Sequence, residues 1–318
     1  MIVVSLTLRA THHPDCYPSD PKLALAFFRK AWDLVPPDKL PPAPESATLA
    51  GILTPHIDFR VSPASYAAAF RPLLDEPLAE KYLIIGVGHR SRLEWNFDRR
   101  DYLTPLGRAE CDEDLVDALT YGIEPARLFS PAAHEGEHSI EFPLLWLQAL
   151  HRLHPEGGTD APPVRFVPLL CGALHAYVEG MVPWEKLSGL HHFGQLLQDI
   201  FAKNPPGEKL RIIVSIDGCH IGSRFQHTYK VTKEILAETA AWEEKLWACV
   251  SLGDAHTMLD WFRTERNERY FDGVGALALL LASAPEDRAF IIQRTFYEQW
   301  FTKQDASAVT FSSGRVLW

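Results

Sequence analysis

Three apolar runs in this chain each lead into residues able to bind a metal or move a proton. Ala47 to Leu53 (ATLAGIL) is followed by Thr54-Pro55-His56-Ile57-Asp58-Phe59, Tyr82 to Gly88 (YLIIGVG) by His89, and Leu210 to Ile216 (LRIIVSI) by Asp217-Gly-Cys-His220. Short apolar runs closed by proline or glycine predict buried strands. In an α/β sheet, ligands and catalytic groups gather on the loops at the carboxyl ends of strands. Imidazoles ligate metals and exchange protons near neutral pH, and a carboxylate beside one fixes its orientation. Each histidine taken singly is as readily a satisfied, partly buried side chain. The repetition at three strand ends predicts a shared metal or acid–base site.

Other local patterns carry less. His134-Glu135-Gly136-Glu137-His138 matches H-E-x-x-H, a pattern that needs both histidines one helical turn apart on one face. Gly136 in its middle and a helix beginning near His138 place His134 in the preceding loop, which demotes a zinc-protease reading. Gly86-Val87-Gly88 hints at a dinucleotide loop, but Ser91 occupies the third glycine position. G-x-x-x-x-G-K-[ST] and G-x-S-x-G are absent from the chain. His12, His13 and Cys16 lie in a loop and read as solvated or packed side chains. Cys219 and His220, as neighbours in an extended segment, point apart. Trp242, Trp247 and Trp261 read as core.

The elements that must position these groups follow from the rest of the pattern. Helices are expected over about 21–34, 63–74, 112–121, 138–153, 184–201, 231–250, 254–265 and 273–283, with Pro143 tolerable only in a first turn. Strands are expected at 47–53, 82–88, 164–170, 210–216, 290–297 and 307–311. Strands alternating with helices predict an α/β fold, one domain over 1–318, with a central, mostly parallel or mixed sheet flanked by helices. Residues 92 to 107 read as a polar stretch and a turn.

Bulk properties exclude several classes. The 318 residues are 47% hydrophobic and 23% charged, with 31 basic against 41 acidic side chains and a net charge of -10. That balance argues against nucleic-acid and anionic-membrane partners. Five scattered cysteines without a C-x-x-C pair argue for a reducing compartment. The apolar opening Met1 to Leu8 lacks the basic leader and length of a signal segment, and the expectation is a cytoplasmic protein.

The motifs Pro55-His56-Ile57-Asp58-Phe59, Gly86-x-Gly-His89, Thr104-Pro-Leu-Gly107, Glu137-His-Ser-Ile-Glu141, Val167-Pro-Leu-Leu-Cys-Gly172 and Asp217-Gly-Cys-His-Ile-Gly222 resemble, in order and spacing, the Memo family. Bacterial members of that family are labelled AmmeMemoRadiSam system protein B. Tyr17-Pro-Ser-Asp-Pro21 and Ser307-Ala-Val-Thr-Phe-Ser312 extend the resemblance over nearly the whole chain. It implies a fold like that of class III extradiol dioxygenases, which use non-haem Fe(II). It also implies possible partner proteins of the AmmeMemoRadiSam system.

Within the resemblance, His56 and His89 match two histidine ligands, and Asp217 and His220 match a polar pair in the same pocket. A cysteine is the family's third ligand, and Asp272 stands in its place before Gly273. Two histidines and a carboxylate make the facial triad of Fe(II) oxygenases, with Fe(II) favoured over Zn or Cu. Capping of the following helix is the alternative role for Asp272. The expected site is therefore His56, His89 and Asp272 on the metal, with His220 as acid or base and Asp217 orienting it. His138, Glu141 and Asp58 would line the pocket or support the ligands. The implied activity is a redox reaction on a small polar or aromatic molecule. Metal-dependent hydrolysis and a catalytically silent scaffold are the alternatives.

Overall fold

Eleven strands form one mixed sheet in the computed structural model, which describes residues 9–10, 13–44, 47–158, 161–285 and 288–318. The strands are β1 (Arg9–Ala10), β2 (Leu49–Thr54), β3 (Lys81–Val87), β4 (Trp95–Phe97), β5 (Tyr102–Thr104), β6 (Gly107–Cys111), β7 (Arg165–Cys171), β8 (Leu210–Ser215), β9 (His220–Ile221), β10 (Ile291–Thr302) and β11 (Ser307–Leu317). Their order is β1-β5-β6-β7-β3-β8-β2-β11-β10, with β4 beside β7 and β9 beside β11. Pairing is parallel from β6 through β7, β3 and β8 to β2, and antiparallel from β2 to β11 and β10. The expected α/β class with a mixed sheet is the fold observed. Met1 to Leu8 and His12 lie outside the described residues.

Helices cover both faces. These are α1 (Pro21–Trp32), α2 (Pro63–Phe70), α3 (Glu113–Thr120), α4 (Pro131–His134), α5 (His138–Leu153), α6 (His175–Val178), α7 (Ser188–Lys203), α8 (Lys233–Val250), α9 (Ala255–Glu265) and α10 (Val274–Ala282). On one face Ile52, Tyr82, Ile84 and Ile213 pack with Phe28 of α1, Tyr66 of α2 and Trp146 of α5. On the other, Leu53, Leu83, Ile85 and Val214 pack with Phe193 of α7, Leu246 of α8, Phe262 of α9 and Leu277 of α10. Alternate residues of a strand face opposite ways, so a strand buried on both sides must be apolar at every position. That is why β2, β3 and β8 appear in the sequence as unbroken apolar runs.

Helix starts follow side-chain capping. Asp20, Ser62, Asp112, Thr232 and Asp254 each accept a backbone N–H of the first turn that follows them. α5 begins at His138 and carries Pro143 as its sixth residue, deeper than the first turn where proline was expected. The missing N–H deprives the Ser139 carbonyl of its helical donor. Burial of most of the helix, Trp146 included, outweighs that loss.

Two regions depart from expectation. Residues 92–107, expected to be a polar stretch and a turn, contain β4, β5 and the start of β6, with Thr104 to Gly107 as the β5–β6 hairpin. The two closing strands are longer than predicted, and β10 carries a register irregularity between Arg294 and Phe296. Such an extra residue interrupts the period of two that a sequence reading relies on. Among the described residues, no helix is long and apolar enough to cross a membrane.

Candidate metal centre

The parallel strands β3, β8 and β2 lie side by side, so the residues just past their carboxyl ends converge. Pro55 ends β2, and the His56 N–H donates to Asp217 Oδ1, just beyond β8, at 2.9 Å. His56 Nδ1 lies 3.3 Å from the Ser215 carbonyl, which takes its proton and leaves Nε2 facing inward. His89 follows β3, and its Nδ1 sits 3.0 and 3.1 Å from the two oxygens of Glu137, the residue that caps α5. Glu137 also accepts the His89 and Ser139 N–H groups.

Asp272 completes the convergence from the start of α10. Its Oδ2 lies 3.0 Å from His56 Nε2 and 3.7 Å from His89 Nε2. The N-cap of α10 is Gly273, with no side-chain capping bond, so the Asp272 carboxylate is turned to the histidines and not to the helix. His138, the first residue of α5, brings a third imidazole. Its ring centroid is 5.0 Å from those of both His56 and His89, nearly parallel to His89 at 16°. Ligand atoms of His56, His89 and His138 all lie within 4.8 Å of one another.

Carboxylates hold positive charge on two of the three imidazoles and the third is left neutral. Burial disfavours a charged His56, but Asp217 and Asp272 outweigh it and raise its pKa above 6.5. Burial likewise opposes charge on His89, yet hydrogen bonds to Asp272 and Glu137 push it up to about 10. Burial raises Glu137, but His89 overrides it and holds the carboxyl at about 2. Burial followed by repulsion from His56 and His89 drives His138 down to about 3. Burial opposes ionisation of Asp272, and His56 and His89 reverse this, keeping it well below the ordinary carboxylate range. Burial raises Asp217 against the pull of His56, with Asp272 adding to the rise.

The donor set fits a divalent cation. Asp272 Oδ1 is buried with no hydrogen-bond partner, an orphan that coordination would satisfy. Ligand bonds of about 2.1 Å put neighbouring donor atoms roughly 3–3.5 Å apart, near the spacing of Asp272 from the two histidines. Imidazole and carboxylate donors suit Fe(II) or Zn(II), and among the described residues no cysteine joins the cluster as a thiolate for Cu(I). His89 and His138 are solvent-accessible while His56 is buried, so the cluster opens on one side.

The remaining expected residues fall at different distances from this centre. Asp217 adjoins His56 directly, with Oδ2 3.9 Å from its Nε2. His220 Nδ1 contacts the carbonyls of Gly218 at 3.1 Å and Tyr270 at 3.2 Å. Both are acceptors, so in the neutral ring Nδ1 carries the proton and Nε2 keeps its lone pair. Glu141 stands one layer out, accepting from the His13 N–H at 3.0 Å and from the Tyr17 hydroxyl. Asp58 is not brought to the cluster; its carboxylate holds Arg60 and accepts from the Cys16 thiol at 3.5 Å. His134 is buried in α4 against the Asn96 carbonyl, on a different helix from His138, which removes the H-E-x-x-H geometry.

Two contributors escape the sequence reading. Glu137, seen there only as part of a motif, orients His89 and lies 3.5 Å from His138 Nδ1. His13, read as a loop side chain, packs its ring 5.6 Å from that of His138. A capping acid followed by histidine at a helix start was a usable signal for Glu137. For His13 the sequence offers none, because its partner Glu141 is 128 positions away.

A family model described as Memo-like protein matches residues 9–314. A MEMO1 family protein of Aquifex aeolicus is 27% identical over 182 residues, 56% of this chain and 42% of that protein. MEMO1 family protein TTHA0924 of Thermus thermophilus is 26% identical over 243 residues, 76% of this chain and 64% of that protein. A MEMO1 family protein of Archaeoglobus fulgidus is 31% identical over 138 residues, 42% of this chain and 46% of that protein. In each case the match spans less than two thirds of the relative's own length.

Proposed function

The chain belongs to the Memo-like protein family, and from that premise we propose that it is a metal-dependent redox enzyme of the non-haem Fe(II) oxygenase type. His56, His89 and Asp272 would hold the metal, with His138 able to complete the donor set. The observation that carries this reading is the turning of Asp272 away from its helix and towards both histidines. An Fe(II) ion held by such a triad supplies positive charge and open positions for a substrate and for dioxygen.

The chain's own residues then have distinct tasks. Ser215 and Glu137 fix the ring orientations of His56 and His89 through their Nδ1 atoms. His220, with Nδ1–H engaged by the Gly218 and Tyr270 carbonyls, would use its Nε2 lone pair to accept a proton from a small polar or aromatic substrate. Asp217, buried and hydrogen-bonded to the His56 N–H, ties the β8 end to the β2 end and keeps the two halves of the site in register.

The test is anaerobic purification, metal analysis, and comparison of Fe(II), Zn(II) and Cu binding between the wild type and Asp272→Ala. The expected result is Fe(II) binding by the wild type and a loss on the order of 100-fold or more in the variant. Equal affinity in the two proteins, or no metal bound by either, rejects the reading. Oxygen uptake with a panel of catechols then separates an oxygenase from a hydrolase.

A further inference from the structure

The loop between α9 and α10 is held in an unusual backbone. Arg266, Asn267 and Tyr270 all have positive φ, at 54°, 47° and 46°. Asparagine tolerates this region, whereas a bulky exposed tyrosine does so only when its surroundings hold it there. The constraint is visible. Asn267 Nδ2 donates to the Phe271 carbonyl at 2.9 Å, and its Oδ1 accepts the Phe271 N–H at 2.9 Å. One side-chain amide thus occupies both backbone polar groups of a single residue, closing the loop into a ring.

What this ring carries is the site. Phe271 is buried against Trp242 and Phe262, and the next residue is Asp272. The Arg269 carbonyl accepts the His220 N–H at 2.9 Å, the Tyr270 carbonyl accepts from His220 Nδ1, and the Asp272 N–H reaches the Gly218 carbonyl at 3.4 Å. The loop is therefore laid against Gly218–His220 like a short extra strand. We propose that Asn267 is a positioning residue for the centre: by clamping Phe271 it aims the Asp272 carboxylate at His56 and His89 and holds the Tyr270 carbonyl where, together with that of Gly218, it favours the Nδ1–H form of His220.

The half of this inference concerning metal affinity rests on the metal-centre reading; the half concerning the His220 tautomer does not. Asn267→Gly keeps the left-handed backbone available and removes only the clamp. Asn267→Asp retains the acceptor for the Phe271 N–H but loses the donor to its carbonyl. In the metal-free protein, two-bond nitrogen–proton correlation spectra read the His220 tautomer directly. The expected result is a single Nδ1–H form in the wild type and a mixture in Asn267→Gly. Co(II) titration followed by its visible spectrum should show affinity falling about 10- to 100-fold in Asn267→Gly, with Asn267→Asp in between. A thermal melt of each metal-free variant establishes folding, and the Asp variant decides the matter if the Gly variant is unfolded. An unchanged tautomer together with Co(II) affinity within twofold of wild type would overturn the proposal. A wild type that binds no Co(II) overturns the metal reading instead, and the tautomer then decides the role of Asn267.

Discussion

Asp272 Oδ2 lies 3.0 Å from His56 Nε2 across 216 positions of chain, while its other oxygen is buried without a partner. The carboxylate stands where the family resemblance puts a cysteine, which makes the exchange informative. Asp272→Cys places a soft donor beside the same histidines. Zn(II) binding should persist, Cu(I) affinity should rise at least about tenfold, and Fe(II) binding should weaken. Competition with a chromogenic Cu(I) chelator measures this. No gain in Cu(I) affinity would put Asp272 outside the coordination shell.

Glu137 serves both a helix and a ligand, and the two roles separate by substitution. Glu137→Gln keeps an oxygen able to accept the Ser139 N–H, so helix α5 should lose no more than about 1 kcal/mol of stability. The charge that orients His89 disappears, and metal affinity should drop about 10- to 100-fold. Calorimetric titration with Zn(II), paired with a thermal melt, distinguishes the two effects. A large fall in stability with unaltered affinity would make Glu137 a cap and nothing more.

His151 lies at the far end of α5 from the cluster and should set a pH dependence of its own. It is 7% exposed, its Nε2 is 2.9 Å from the Tyr82 hydroxyl, and burial followed by repulsion from His154 brings its pKa down from 6.5 to about 4. Between these values the unfolded chain takes up a proton that the folded chain refuses. Its effect on stability is therefore absent above pH 6.5, grows as pH falls towards 4, and is destabilising by on the order of 3 kcal/mol at full extent. Denaturant melts from pH 7.5 to 4 should show a shallower decline for His151→Gln than for the wild type. Parallel profiles would mean that His151 titrates alike in both states.

How far the fold was legible depended on burial. β2, β3 and β8 announce themselves because both of their faces are covered, leaving no polar residue to interrupt the run. β4, β5 and β6 are only three to five residues long, and Leu103 in the middle of β5 is 46% exposed, so apolar patterning had too little length to register. The same limit applies to the site. His56 and His89 are visible as histidines at strand ends. Asp272 stands before an apolar helix, where an aspartate ordinarily caps, and only the family resemblance marked it. His138 was expected in the pocket through the family resemblance, whereas His13 reaches it through the packing of the segment before α1, a relation with no local trace in the residues themselves.

The irregularity between Arg294 and Phe296 decides what the end of the sheet presents. β10 lies at the end of the sheet order, and a regular strand there would offer a template for its own double. Counted along the sequence, Arg294 and Glu298 are symmetric about Phe296, as are the exposed Ile291 and Phe301. Two such strands running antiparallel would match cation to anion and apolar to apolar. The extra residue spoils the match. Arg294 pairs with Gly314 and Glu298 with Phe311, while Ile291 pairs with Leu317 and Phe301 with Ala308, so each would-be couple is split between opposite faces of the sheet. Arg294 accordingly reaches Glu244 on α8, and Glu298 accepts from Ser62 at the start of α2. One residue out of step thus sends the cation of β10 to α8 and its anion to α2.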